Sequence, residues 1–176
     1  MARQNLVIVE SPAKARTIGR ILGGDYRVMA SMGHVRDLPE HSLGVDLRRD
    51  FQPLYQETQG RGNVIKELRT AAAQASAIYL APDPDREGEA IAWHLQELLA
   101  PVTKAEFQRV VFHEITRTAV TRAFAQPGRI DMNRVNSQQA RRILDRVVGY
   151  QVSPLLRRRV TGGSSAGRVQ TVALRI

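Results

Sequence analysis

Asp83-Pro84-Asp85-Arg86-Glu87-Gly88-Glu89 sets carboxylates on alternate residues, directly after the apolar run Ile78-Tyr79-Leu80-Ala81 and before the amphipathic stretch Ala90 to Leu99. At the end of a strand, alternate side chains point to one side, so Asp83, Asp85 and Glu87 can converge on one point. Like charges that close repel unless a cation separates them. The natural occupant is Mg2+, a hard ion that takes oxygen ligands and keeps waters for a phosphate to replace. The other reading of the same residues is a solvated turn that caps the next helix, with Glu87 and Glu89 near its positive end.

A second segment bears on that choice. Leu6-Val7-Ile8-Val9 is a short β-branched run ending in Glu10, after which Ser11 and Pro12 suit the N-cap and first position of a helix. Ala15, Ile18 and Leu22 follow at helical spacing, and Gly23-Gly24 stops the helix. Glu10 is thereby delivered to the carboxyl end of a buried strand, the edge at which open α/β sheets bind ligands. If the strand before Asp83 runs parallel to this one, the two acidic segments share a rim. Lys14, one turn into the adjoining helix, can then reach a phosphate.

The strings LVIVESPAKA (Leu6 to Ala15) and DPDREGEAIAWH (Asp83 to His94) resemble the Toprim domain of bacterial type IA DNA topoisomerases. SMGHVRDLP (Ser31 to Pro39), VVFHEIT (Val110 to Thr116), RVNSQQARRILDRVVGYQVSPLL (Arg134 to Leu156) and SSAGRVQTVALR (Ser164 to Arg175) extend the resemblance along the chain. Residues 40 to 75 carry no diagnostic string. Six ordered motifs are far more specific than any one of them.

Composition agrees with an intracellular enzyme. The 176 residues suffice for one domain and part of another. The absence of cysteine excludes a disulfide framework or thiolate zinc site and fits a reducing compartment. No signal-like opening and no apolar run of membrane-spanning length occur, so a soluble, cytoplasmic protein is expected; a monomer is the accompanying expectation, without a sequence signal of its own. Of the net charge of +9, nearly all lies in residues 129–176, which hold 10 Arg against only Asp131 and Asp145. The planar guanidinium fork suits bidentate phosphate contacts, so this segment reads as a nucleic-acid surface; a generally basic solvated face is the alternative.

Four apolar runs, Leu6 to Val9, Tyr26 to Ala30, Ala77 to Ala81 and Arg109 to Phe112, read as strands. Helical stretches fall near Pro12 to Leu22, Asn63 to Ala75, Glu87 to Leu99 and Arg117 to Ala125. Their alternation predicts a layered α/β domain with a mostly parallel sheet. Gln126-Pro127-Gly128 marks a boundary, giving domains 1–128 and 129–176, the latter helical. Within Asp131 to Tyr150, Ala140, Ile143, Leu144, Val147 and Val148 form the side expected to pack, while Gln138, Arg142, Asp145, Arg146 and Gly149 form the side free for DNA. Asp145 is expected to pair with Arg141 or Arg142, and Tyr150 either stacks on an unpaired base or packs in a core. Ser153-Pro154 reads as a helix restart, followed by Arg157. The small-residue loop Thr161 to Gly167 offers backbone N–H groups to a phosphate, or is a plain linker. His34 and Arg36, in the loop after the second strand, can contact DNA, Arg36 alternatively holding Asp37; His41, His94 and His113 carry no such expectation, His94 packing in its helix.

The resemblance implies a mechanism. Type IA enzymes cut one DNA strand with a tyrosine, hold the 5' phosphate as a phosphotyrosine ester, pass another strand and reseal without ATP. By this analogy Glu10 is the general acid and base at the 3' oxygen and shares the metal, Lys14 offsets charge at the scissile phosphate, and Asp83, Asp85 and Glu87 bind Mg2+. His34, Arg36, Arg141, Arg142, Asp145, Tyr150, Arg157, Ser165, Gly167 and Arg168 are the implied contacts to single-stranded or underwound DNA. The nucleophilic tyrosine belongs to a later domain, and Tyr26, Tyr55, Tyr79 and Tyr150 match no nucleophile motif. An N-terminal fragment that binds metal and single strands without cleaving is therefore expected. The alternatives are another Toprim enzyme, such as a nuclease or a topoisomerase III, and a basic nucleic-acid-binding module with a structural acid turn.

Overall fold

The computed structural model describes residues 4–159. In chain order these form β1 (Asn5–Val9), α1 (Pro12–Leu22), β2 (Tyr26–Ala30), β3 (Arg36–Asp37), β4 (Val45–Asp46), β5 (Gln52–Pro53) and β6 (Gln56–Glu57). There follow α2 (Gly62–Gln74), β7 (Ala77–Leu80), α3 (Arg86–Leu99), a 3-10 turn (Ala100–Val102), β8 (Glu106–Arg109), α4 (Arg117–Ala125) and α5 (Met132–Arg159). Two compact units result. One comprises Met1–Asp37 and Glu57–Asn136; the other comprises Leu38–Gln56 and Ser137–Ile176.

The first unit is built on a four-stranded sheet in the order β2-β1-β7-β8, with β1 parallel to β2 and β7, and β7 parallel to β8. Alternation along β1 sorts its side chains to two buried faces. Leu6 and Ile8 join Ile65, Leu68, Leu95 and Leu98 of α2 and α3. Val7 and Val9 join Ile18 of α1 and Val120 of α4 on the opposite face. Each fully buried Leu or Ile contributes about 1.5–3 kcal/mol, so this double-sided layer, and not helix propensity, holds the strand ends in place. Strand order reverses between β1 and β7, and a crevice at such a switch point is where α/β sheets take ligands. The expected layered α/β fold with a parallel sheet, followed by a helical segment, is what the chain forms.

Two element boundaries differ from the sequence expectation. The fourth strand of the sheet is Glu106–Arg109 and not Arg109 to Phe112, pairing Ala77 with Glu106 and Leu80 with Arg109. As an edge strand it tolerates polar Glu106 and Gln108, so the apolar Val110-Val111-Phe112 run drew the reading three residues too far along. At the other end of the chain, Ser153-Pro154 does not restart a helix: α5 runs through Pro154, which removes one backbone donor from the ladder without breaking it. The two-residue ladders, β3 with β6 and antiparallel β4 with β5, are too short for periodicity to reveal.

In the second unit, the polar side of α5 is engaged by its own backbone neighbours. Arg146 donates to the carbonyls of Pro39 at 2.6 Å and Ser42 at 3.2 Å, and the Tyr150 hydroxyl donates to Glu40 O at 3.0 Å. Gln138, expected on the free side, is buried, whereas Leu144, expected to pack, is 48% exposed. Amphipathicity identifies faces but cannot foresee that carbonyls of residues 38–42 will satisfy the polar one.

Candidate active site at the sheet edge

Both acidic segments lie at the carboxyl ends of adjacent parallel strands. Ala81 N donates to Ile8 O at 2.8 Å, which carries the β1–β7 pairing to the end of the sheet, and Asp83 N donates to Glu10 Oε2 at 3.3 Å. Ser11 caps α1, accepting from Lys14 N, with Pro12 at the helix start. One turn in, the Lys14 ammonium donates to both Glu10 Oε1 and Asp83 Oδ1. Two carboxylates 73 positions apart therefore meet on one cation.

The protonation states follow from these partners. Burial alone would lower the Lys14 pKa, but its hydrogen bonds to Asp83 and Glu10, and their charges, hold it above its ordinary value. The hydrogen bond with Glu10 holds Asp83 below the usual carboxylate range, with Lys14 and the Arg109 charge adding to it against the opposing effect of burial. Lys14 and Asp83 are thus both charged across the neutral range.

The other acids of the motif have separate tasks. Asp85 is the N-cap of α3, its Oδ1 accepting from Gly88 N at 2.7 Å. Glu87 Oε1 lies 2.6 Å from His34 Nε2, from the loop after β2. Arg36 places its guanidinium 5.8 Å from the centre of the Trp93 ring. His94 is buried, and burial first, then the charges of His34 and Arg36, pull its pKa down to about 3. Among the described residues, no group of three or more His, Asp or Glu side chains is arranged to hold a metal ion. Glu10 and Asp83 nevertheless converge, through oxygen donors alone, on a point that a cationic group fills, and Mg2+ commonly uses only one or two carboxylates besides water and substrate phosphate. The donor set fits that ion.

Sequence reading missed two residues at this edge. Arg109 and Glu89 are both buried and form an ion pair of 3.0 Å, the Arg109 fork also reaching the backbone of the acidic loop. The signal available was an arginine inside the run Phe107 to Phe112: a charge amid apolar residues has to find a partner.

In the second unit a cleft of about 600 Å³ is lined by Glu40, His41, Arg142, Asp145, Arg146 and Tyr150, among others. Arg146 lies 5.5 Å from the Tyr150 ring centre, and Arg141 Nε lies 4.0 Å from Asp145 Oδ2, a loose, exposed pair. Among the described residues, nothing beyond its own helix turn stands within 4 Å of a Cβ built on Gly149, so the helix surface is open there. Arg157 lies in α5, and its side chain, like Ser165, Gly167 and Arg168, is outside the described residues.

Residues 5–115 match the Toprim domain family, and residues 129–176 match the family described as DNA topoisomerase. Among solved structures, full-length topoisomerase I from Thermotoga maritima is similar, with 47% sequence identity over 97% of this chain and a TM-score of 0.87. The match spans 29% of that longer chain.

Proposed function

Because the chain belongs to the Toprim domain family and its residues 129–176 match the DNA topoisomerase family, we propose that it is the N-terminal region of a bacterial type IA topoisomerase and supplies the metal-binding and acid–base part of an enzyme that cuts, passes and reseals one DNA strand. The parent activity is Mg2+-dependent, ATP-independent relaxation of negatively supercoiled DNA. The observation that carries this reading is the meeting of Glu10 and Asp83 on the Lys14 ammonium at the ends of adjacent parallel strands.

Glu10 protonates the departing 3' oxygen and takes the proton back when that oxygen attacks the phosphotyrosine. Lys14, held over the same rim by α1, offsets phosphate charge. Asp83 with Glu10 would hold Mg2+, which when bound supplies positive charge to the phosphate oxygens; Asp85 and Glu87, engaged by Gly88 N and His34, would join only by leaving those partners. Tyr26 and Tyr79 are not the cleaving tyrosine in this reading: they meet each other and Phe124 edge-on or tilted, at 5.3–5.8 Å between ring centres, inside an apolar cluster. Residues 1–128 carry the metal chemistry and 129–176 begin the DNA-binding part. Single-stranded or underwound DNA is held by His34 and Arg36 in one unit and by Arg141, Arg142 and Tyr150 in the other, Asp145 orienting Arg141; Arg157, Ser165, Gly167 and Arg168 add phosphate contacts. The protein acts as a cytoplasmic monomer.

Calorimetric titration with Mg2+ tests the site: the chain binds the ion and Asp83→Asn loses it. A single-stranded oligonucleotide binds without being cut, and a negatively supercoiled plasmid with Mg2+ stays supercoiled; relaxation by these residues alone would refute the proposed division of labour. The capping role of Asp85 favours a second reading, in which the acidic turn is structural and the chain is only a basic nucleic-acid module. Under that reading Asp83→Asn changes nothing in the titration.

A further inference from the structure

The acidic loop Ala81-Pro82-Asp83-Pro84-Asp85 contains two prolines, so it has few N–H groups with which to fix its own shape. Its carbonyls are held from outside. The Arg109 Nη1 donates to Leu80 O at 3.2 Å, Pro82 O at 2.9 Å and Val110 O at 2.7 Å, and Nη2 donates to Asp83 O at 2.8 Å. Arg134 Nη1 donates to Pro84 O at 2.9 Å. The carbonyls of Leu80, Pro82, Asp83 and Pro84 are all taken by guanidinium groups.

Arg109 is itself oriented. Its Nε donates to Glu89 Oε2 at 3.0 Å, while the other oxygen of Glu89 accepts from Asp131 N at 2.8 Å. Glu89 is 3% exposed and Arg109 2%. A buried ion pair is commonly no more stable than apolar residues of the same volume, so stability alone is a poor account of its presence. What apolar residues cannot supply is a rigid fork that fixes the loop and one carboxylate that sets the fork. Arg109 reaches the Glu10, Lys14 and Asp83 carboxylate–ammonium cluster through the Asp83 backbone carbonyl, and its charge also acts on the Asp83 carboxylate.

We infer that Glu89 and Arg109 act as a positioning pair, which fixes the backbone of Leu80 to Asp83 so that Asp83 meets Glu10, and thereby sets the affinity of this rim for a divalent cation. This rests on the Mg2+ reading of the rim proposed above. Glu89, the last acid of the motif, is then neither a ligand nor a helix-end charge but the anchor of the fork.

Two variants separate positioning from stability. Arg109→Lys keeps the charge, but one ammonium cannot span Glu89 and the loop carbonyls together. It is expected to weaken Mg2+ binding by about 10–100-fold, the range seen when groups that orient metal ligands are lost. Glu89→Gln combined with Arg109→Met removes both buried charges at once and recovers melting temperature relative to Glu89→Gln alone, while Mg2+ binding stays weak. Calorimetry is run where the melting curve of each variant shows it folded, and the amide shifts of Asp83 and Asp85 report the loop directly. The positioning role is overturned if folded Arg109→Lys binds Mg2+ within about two-fold of the parent, under 0.5 kcal/mol, or if the double variant regains affinity together with stability. Absence of Mg2+ binding by the parent chain would instead overturn the proposed function, and this inference with it.

Discussion

Gly88 offers a sharp mechanical test of the acidic loop. It is buried at the start of α3, and a Cβ placed on it would stand 2.1 Å from Asp83 O, 2.8 Å from Asp83 N and 2.9 Å from Asp83 C. All three are backbone atoms, so no side chain can turn away. Ordinary carbon–oxygen contact requires the peptide to withdraw by about 1 Å or more. Asp83 O cannot withdraw freely, because Arg109 Nη2 holds it at 2.8 Å. Overpacking costs about 1–3 kcal/mol and loss of a hydrogen bond to a charged donor about 1.5–3 kcal/mol, against about 1 kcal/mol gained from alanine over glycine within a helix. Gly88→Ala is therefore expected to destabilise the chain by about 2–4 kcal/mol, lowering the melting temperature by about 5–15 °C. Gly62→Ala is the control: nothing lies within 4 Å of the added atom, and the melt should be unchanged or higher. Thermal unfolding followed by circular dichroism decides it. A Gly88→Ala chain that melts with or above the parent would refute the close approach of α3 to the loop.

Lys14→Met removes the ammonium that competes for the two carboxylates, and a unit charge near 4 Å is worth about 1–4 kcal/mol at intermediate to high dielectric, so calorimetry should show Mg2+ binding about ten-fold tighter; weaker binding would show that the ammonium supports the ion instead of opposing it. Stability should fall in acid: His94 is held at about 3 against an ordinary 6.5, so the unfolded chain takes up a proton that the fold refuses, and the stabilisation present above 6.5 is lost as pH drops towards 3. The lowered Asp83 works in the same direction below 3.8, whereas the raised Lys14 loses its contribution only as pH rises beyond 10.5. Urea midpoints equal at pH 7 and pH 4 would contradict the buried neutral imidazole. In the second unit, Tyr150→Leu should weaken single-strand binding by about 1–3 kcal/mol with an unchanged salt slope, while Arg142→Ala should reduce that slope by about 1, both measured by fluorescence anisotropy across a salt series.

How much of this was legible beforehand follows from the range of each interaction. Glu10 could be placed at a strand end because a β-branched run, a Ser–Pro helix start and a Gly–Gly stop all lie within 20 residues of one another, and helix α1 and strand β1 form where those signals put them. The acid motif was legible as an acid motif for the same reason. Which cation neutralises each acid was not. Lys14 reaches Asp83 across 69 positions and His34 reaches Glu87 across 53, and both meetings depend on β1 standing beside β7 in the order β2-β1-β7-β8. Alternation alone put Asp83, Asp85 and Glu87 on one side. The helix start at Arg86 then turns the chain after Asp85, so that Asp85 caps the helix and Glu87 falls within it, and strand periodicity no longer governs either. Arg109 shows the same limit from the other direction. Its strand could be guessed to within three residues, but its importance comes from four carbonyls and a carboxylate that only the folded sheet gathers. Local pattern therefore locates charged groups that do chemistry, while the strand order decides which of them face each other and which are spent on holding the others still.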